Sequence, residues 1–375
     1  MKNKLLIIFS FLSLFTFCSC NNDNEVKNET ITDMVGREVE IKPGSYENVV
    51  CIGAGALRLY SYVGDASKLC GVEDIDNYTL PNRPKIFDNV ARPYFIANKE
   101  IFKNLPSCGV GGPQAQAAEA EKILACNPDI VISEYEDVDK GNALQQQLGV
   151  PVITVRYGSK GVFDESIKNS IELLGKVFSL EEKANTLNNF IQNEKNEIKN
   201  RVANIDASKE KKVYICGLGN WGTTNHLMTA QNYEPFNVAK INNVINGLVR
   251  DGIQAIEEEK LLSIADDVDV LIIDSAAIKN ITDKNVFSSL HAWKTGEVYL
   301  QMAYNAYYTN IEIALINTWY NAKVVYPSLF SDIDMKTKTN EVTKAFLGQE
   351  LADEIFGYPN SFGGYKKMNT ATFPN

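Results

Sequence analysis

The sequence predicts an α/β protein of two lobes with mainly parallel sheets, joined by a long helical connector. Three observations carry that expectation. Short β-branched runs alternate with helical patterns on both sides of the chain's middle, which indicates parallel sheets with helical crossovers. Between them, Phe163 to Ile205 reads as helix throughout. A helix, acidic turn and strand then occur once on each side of that stretch. At 375 residues the chain also exceeds what one core usually serves.

Residues 1–19 carry Lys2 and Lys4, then an apolar run from Leu5 to Phe17. That pattern is a secretory signal, too short for a comfortable membrane span. Phe17-Cys18-Ser19-Cys20 resembles a lipobox, and Ser19 makes Cys20 the better lipidation site, although Phe17 stands where an aliphatic residue is usual. Residues 20–31 are polar and suit a flexible tether. Without the signal the chain holds 35 Lys and Arg against 47 Asp and Glu, a formal charge of −12, which disfavours nucleic-acid binding. Cys51, Cys70, Cys108, Cys126 and Cys216 are odd in number and lack metal-ligand spacing, so buried thiols are expected rather than a disulfide framework or zinc site.

The first lobe is placed at 32–162. Thr32 to Ile41 reads as a hairpin, and the strand Asn48 to Ile52 runs into Gly53-Ala54-Gly55-Ala56 and a helix from Leu57 to Val63. Such a turn offers N–H groups to a ligand, but it equally serves close strand-to-helix packing. Leu69 to Val72 is a strand, and Asp74 to Leu105 reads as a long polar and aromatic loop containing Tyr78, Tyr94 and Phe95. A helix at Ala117 to Leu124, a strand at Ile130 to Ser133, a helix at Asn142 to Leu148 and a strand at Val152 to Val155 complete the lobe.

The connector is placed at 163–205. Ser179 with Glu182 forms a capping-box pattern, so a second helix should start at Leu180. Its stripe of Leu180, Ala184, Leu187, Ile191, Ile198, Val202 and Ile205 would extend for roughly 39 Å. The second lobe is placed at 206–325, opening with the strand Lys211 to Cys216, and a helical segment at 326–375 ends the chain. Glu-Lys-Ile-Leu-Ala from Glu121 matches Glu-Lys-Leu-Leu-Ser from Glu259, each before an acidic turn and apolar strand; chance likeness of two amphipathic segments is the plain alternative.

TDMVGREVEI at Thr32, VVCIGAGA at Val49, EKILACNPDIVIS at Glu121, LGVPVITV at Leu148 and GEVYL at Gly296 together resemble the substrate-binding proteins of ABC importers for iron–siderophore, haem and cobalamin complexes (class III periplasmic binding proteins). The resemblance covers nearly the whole mature chain and rests on the order of motifs rather than any single one. It implies a ligand cleft between two lobes with limited hinge closure. It implies docking of an exposed glutamate on each lobe, by motif position Glu121 and Glu259, to arginines of a membrane permease served by its ATPase. The protein is then expected outside the cytoplasm, lipid-anchored and monomeric, with no cofactor of its own.

Loops at the carboxyl ends of strands should line the cleft. The candidates are Gly53, Ala54, Tyr94, Phe95, Gly111-Gly112-Pro113, Tyr135, Arg156 and Tyr157 from the first lobe, and Trp221, His226, Met228, Tyr233, Arg250, Tyr304, Tyr307 and Tyr308 from the second. Aromatic faces and arginines suit a large anionic metal chelate, and His226 or the tyrosines could complete the coordination of a ferric ion. Each tyrosine could equally be a packing residue, His226 a loop histidine, and His291 reads as structural. The leading expectation is a ferric-siderophore receptor, with cobalamin or haem as alternatives within the fold. A two-lobed chelatase-like enzyme and a lipid-anchored adhesin are the competing classes, but no catalytic motif is present: there is no Gly-x-Ser-x-Gly or His-Glu-x-x-His, and only two histidines.

Overall fold

The computed structural model describes residues 27–113, 115–281 and 285–373, so the secretory signal and Cys20 lie outside the described residues. The expected hairpin forms, as β1 (Glu29–Thr32) antiparallel to β2 (Glu38–Ile41). Its turn is pinned to the sheet behind it: the Asp33 carboxylate accepts from Arg37 Nε at 2.9 Å and from the Thr154 backbone N–H at 3.2 Å.

The first sheet contains β3 (Val49–Ile52), β4 (Leu69–Glu73), β5 (Ser107–Gly109), β6 (Ile130–Ser133) and β7 (Val152–Thr154). All its pairings are parallel, in the order β5-β4-β3-β6-β7. Every residue of β3, β6 and β7 is buried, which is why these strands read as unbroken apolar runs rather than as alternation. The second sheet uses β8 (Lys212–Cys216), β10 (Asn242–Asn243), β12 (Val270–Asp274), β13 (Val298–Gln301) and β14 (Lys366–Lys367), in the order β10-β8-β12-β13-β14. Only β14 runs antiparallel. A separate antiparallel pair, β9 (Met228–Gln231) with β11 (Gly252–Ala255), lies between β8 and β12 in sequence. In both sheets the strand order reverses beside the first central strand, at β3/β6 and β8/β12, where ligand crevices open in parallel sheets.

Two helices join the sheets, Glu165–Phe178 and Glu181–Arg201. The capping box does not form. Ser179 instead ends the first helix in a left-handed conformation, φ 53°, and Leu180, with no side-chain cap bond, starts the second. That helix of 21 residues is about 32 Å long. Its stripe is not wholly apolar, since Glu194 is buried on it and accepts from Trp319 Nε1 at 2.7 Å and Lys338 Nζ at 3.1 Å.

Two further expectations are corrected. The stretch read as a loop from Asp74 to Leu105 contains a helix, Pro93–Phe102, with proline at its start. The C-terminal segment is helical at Met335–Leu347 and Ala352–Gly357, but it also supplies β14. The helix Ile311–Val325 buries thirteen of its fifteen residues, and one apolar cluster runs from β3 and β7 through this helix to β8 and β12. Among the described residues no helix is long and apolar enough to cross a membrane. Cys51, Cys108, Cys126 and Cys216 are buried thiols, and Cys70 is half-buried.

Candidate functional site

A cavity of 560 Å³ opens where the two halves meet. The chain leaving β7 supplies Tyr157 and the turn Gly158-Ser159-Lys160-Gly161. The β9/β11 pair supplies Gln231 to Glu234 and Asp251 to Ile253, and the loop after β13 supplies Tyr304, Asn305, Tyr308 and Thr309. All three are segments at or just beyond strand ends, so their backbones turn and expose polar groups while the strands hold them in place.

The aromatic wall is built from both halves. The Tyr157 and Tyr308 rings lie 4.3 Å apart between centroids, tilted by 31°. Tyr233 and Tyr304 meet at 6.5 Å. The Tyr157 hydroxyl donates to the Gly55 carbonyl at 3.1 Å and accepts from Arg58 Nη1 at 3.2 Å. Gly55 is required here: its φ is 91°, and a Cβ would stand 2.5 Å from the Tyr157 ring. Tyr307 and Tyr308 take left-handed backbone conformations, φ 55° and 72°, which non-glycine residues adopt at a cost and which concentrate at ligand sites. Burial, reinforced by Glu134 and Glu136, pushes the Tyr308 phenol up to about 12, and burial likewise raises Tyr157, Tyr233 and Tyr304. At neutral pH these four phenols are therefore neutral hydrogen-bonding groups. The charged residues on the wall are Lys160, Glu234 and Asp251. Glu234 accepts from the Phe163 N–H at 2.9 Å and faces Lys195 at 3.7 Å, and burial raises its carboxyl.

Beside the cavity the halves are clasped. Tyr307 donates to Glu73 Oε2 at 2.5 Å and accepts from the Gly112 N–H at 3.0 Å. The other Glu73 oxygen accepts from the Gly53 N–H at 3.0 Å. Arg58, fully buried, donates to Asn310 Oδ1 at 3.2 Å and to the Ala306 carbonyl at 2.8 Å, and Tyr62 donates to Glu312. Trp221 Nε1 donates to the Ile86 carbonyl at 3.0 Å, while Phe87 packs on Tyr307 with centroids 5.7 Å apart.

The candidates from sequence therefore divide. Tyr157, Tyr233, Tyr304 and Tyr308 line the cavity. Gly53, Gly112, Tyr307 and Trp221 belong to the clasp, with Ala54 packed against it. Tyr94 is 1% exposed and is bonded to Asp76 and Arg92, with Phe95 under the same guanidinium, so both serve the first half's interior. Arg156 pairs with Glu136 at 2.5 Å, and half-buried Tyr135 lies nearby after β6. Arg250 is exposed next to Asp251. Met228 opens β9. Half-buried His226 packs edge-on at 5.5 Å against Phe287, a core residue of the second half, and does not line the cavity with the tyrosines. His291 is an exposed residue at a helix start. Glu121 and Glu259 occupy the second position of the short helices Ala120–Ala125 and Glu258–Ser263, both exposed. Lys160, Asn232, Glu234 and Asp251 were missed. Gly158-Ser159-Lys160-Gly161, directly after β7, was the readable signal for the first of them. Among the described residues no group of three or more His, Cys, Asp or Glu side chains is placed to hold a metal ion.

A family model described as periplasmic binding protein matches residues 61–303. No curated protein matches the chain. Among solved structures, a periplasmic solute-binding protein from Veillonella parvula is 18% identical, with a TM-score of 0.66 over 88% of this chain and 96% of that one. The molybdate periplasmic binding protein MolA of a Haemophilus influenzae ABC transporter, bound to molybdate, is 18% identical, with a TM-score of 0.64 over 86% and 98%. The TroA-like periplasmic binding protein FepB from Veillonella parvula is 20% identical, with a TM-score of 0.61 over 86% and 97%. At these identities the likeness is one of fold.

Proposed function

Because this chain belongs to the periplasmic binding protein family, a family of binding proteins and not of enzymes, we propose that it is the extracytoplasmic solute receptor of an ABC importer, and that its cargo is a metal chelate, a ferric siderophore complex foremost. The observation that carries this reading is the tyrosine-walled cavity between the halves. Its 560 Å³ falls in the range that encloses a drug-sized ligand and far exceeds the needs of a bare ion. Tyr308, the half-buried member of the four, offers a ring face for stacking, and Lys160 and Asn232 offer hydrogen bonds to oxygen-rich groups. Arg156 and Arg250 flank the cavity without lining it, and Glu234 and Asp251 stand on its wall, which favours a chelate of low net charge over a polyanion. Cys20 anchors the chain by lipid, and Glu121 and Glu259 dock the monomer onto the permease.

Titration of intrinsic tryptophan fluorescence against ferric siderophores, haem, cobalamin and free divalent metals tests the cargo. A ferric chelate should bind, and Tyr308→Ala should weaken it about tenfold, the equivalent of one lost ring contact of about 1.4 kcal/mol. Tight binding of a bare divalent ion with no response to any chelate would refute the reading; preference for cobalamin would keep the cavity and replace the cargo. Docking is tested separately. A Glu121→Ala/Glu259→Ala protein should keep its ligand affinity and thermal midpoint while cells carrying it lose uptake.

A further inference from the structure

The two helices that carry Glu121 and Glu259 share a second feature. Leu124, 45% exposed, and Leu262, 39% exposed, stand three residues after the respective glutamates, so each shares a helix face with its carboxylate. Nine large apolar side chains are exposed among the described residues, and these two occupy the same register of the internal repeat. The residue before each leucine, Ile123 or Leu261, is fully buried and anchors its helix. The basic residues are held back: Lys122 pairs with Glu119 at 2.8 Å, and Lys260 Nζ donates to the Leu248 carbonyl at 2.7 Å. Among the described residues, neither Glu121 nor Glu259 has an ion pair or side-chain hydrogen bond.

We infer that each helix meets the importer with an apolar side chain as well as a carboxylate, Leu124 beside Glu121 and Leu262 beside Glu259. This rests on the reading of the chain as an importer's receptor. The partner is a membrane permease whose outer face presents a basic group beside an apolar depression, twice over. Charge complementarity selects that partner: a carboxylate without a counterion next to an exposed leucine matches a cation in an apolar rim, and it disfavours an anionic lipid surface. The carboxylates steer and orient the encounter, and the leucines, which lose water only once docked, slow dissociation.

The test uses the full chain and the permease and ATPase whose deletion abolishes uptake, reconstituted in nanodiscs. Leu124→Ser and Leu262→Ser should each weaken association about five- to tenfold, through a faster off-rate with unchanged salt dependence. Glu121→Gln and Glu259→Gln should slow the on-rate and flatten its salt dependence. Ligand affinity should be unchanged in all four, and Leu329→Ser, which removes another exposed leucine, should bind as the native chain does. Native-like association of both leucine variants, with the glutamate variants impaired, overturns the apolar contact and leaves docking by glutamate standing. Native-like association of all four overturns the docking surface itself. Loss of binding to protein-free vesicles in the leucine variants would reassign these side chains to the lipid surface and overturn the proposal.

Discussion

Glu73 offers a test of the clasp. Burial, reinforced by Asp76 and Asp74 and opposed by bonds from the Gly53 N–H and the Tyr307 hydroxyl, moves its carboxyl from an ordinary 4.5 up to about 7. The unfolded chain gives up this proton near pH 4.5 and the folded chain only near pH 7. Between those values the folded state binds more protons, so rising pH destabilises it. The contribution is whole below pH 4.5 and lost above pH 7, and a displacement of this size corresponds to about 3 kcal/mol. Glu73→Gln keeps the shape of the protonated acid without its titration. In urea denaturation between pH 4.5 and 8, the native protein should lose about 3 kcal/mol relative to the variant, with the change confined to that window. Asp274, raised to about 7 by burial, titrates in both proteins and cancels in the difference, whereas Glu134, raised to about 8 by burial with help from the Glu136 and Glu73 charges, is coupled to Glu73 and adds to the difference. Parallel stabilities across the range, or a native protein gaining on the variant as pH rises, would refute the reasoning.

Glu194→Ala leaves buried Lys338 without its interior partner and Trp319 Nε1 without an acceptor, so a loss of about 3 kcal/mol is expected by calorimetry; Glu194→Gln should lose less. Gly55→Ala combines a left-handed backbone with a Cβ 2.5 Å from the Tyr157 ring. It should lower the thermal midpoint and weaken ligand binding together, whereas a lowered midpoint with intact affinity would remove Tyr157 from the binding wall. Cys20→Ala should release the protein from membranes, and membrane retention accompanied by lipid on Cys18 would contradict the assignment.

Much of the sheet architecture was legible because strands buried on both faces leave continuous apolar runs, and because the unit of helix, acidic turn and strand recurs. Local patterns misled where one residue served two helices: Ser179 satisfies the spacing of a cap, yet its backbone terminates the preceding helix. The helix Pro93–Phe102 escaped notice since Tyr94, Phe95, Ile96, Ile101 and Phe102 do not fall on one stripe. At the cavity, the tyrosines after β13 were readable as residues beyond a strand end. Arg58 and Glu73 were not, for their roles depend on partners 252 and 234 positions away, which no local spacing encodes.

Those long separations set a temporal order on folding. Arg58 meets Asn310, Tyr62 meets Glu312, and Gln349 donates to the Ala97 carbonyl. The first half therefore cannot complete its buried surface until nearly the whole chain has emerged. Contacts of such sequence separation make for slow folding through partly collapsed intermediates. This delay leaves Arg58 and Tyr62 without their partners until Asn310 and Glu312 have emerged, so a C-terminal truncation before Asn310 should yield an aggregating chain and not a smaller binding protein.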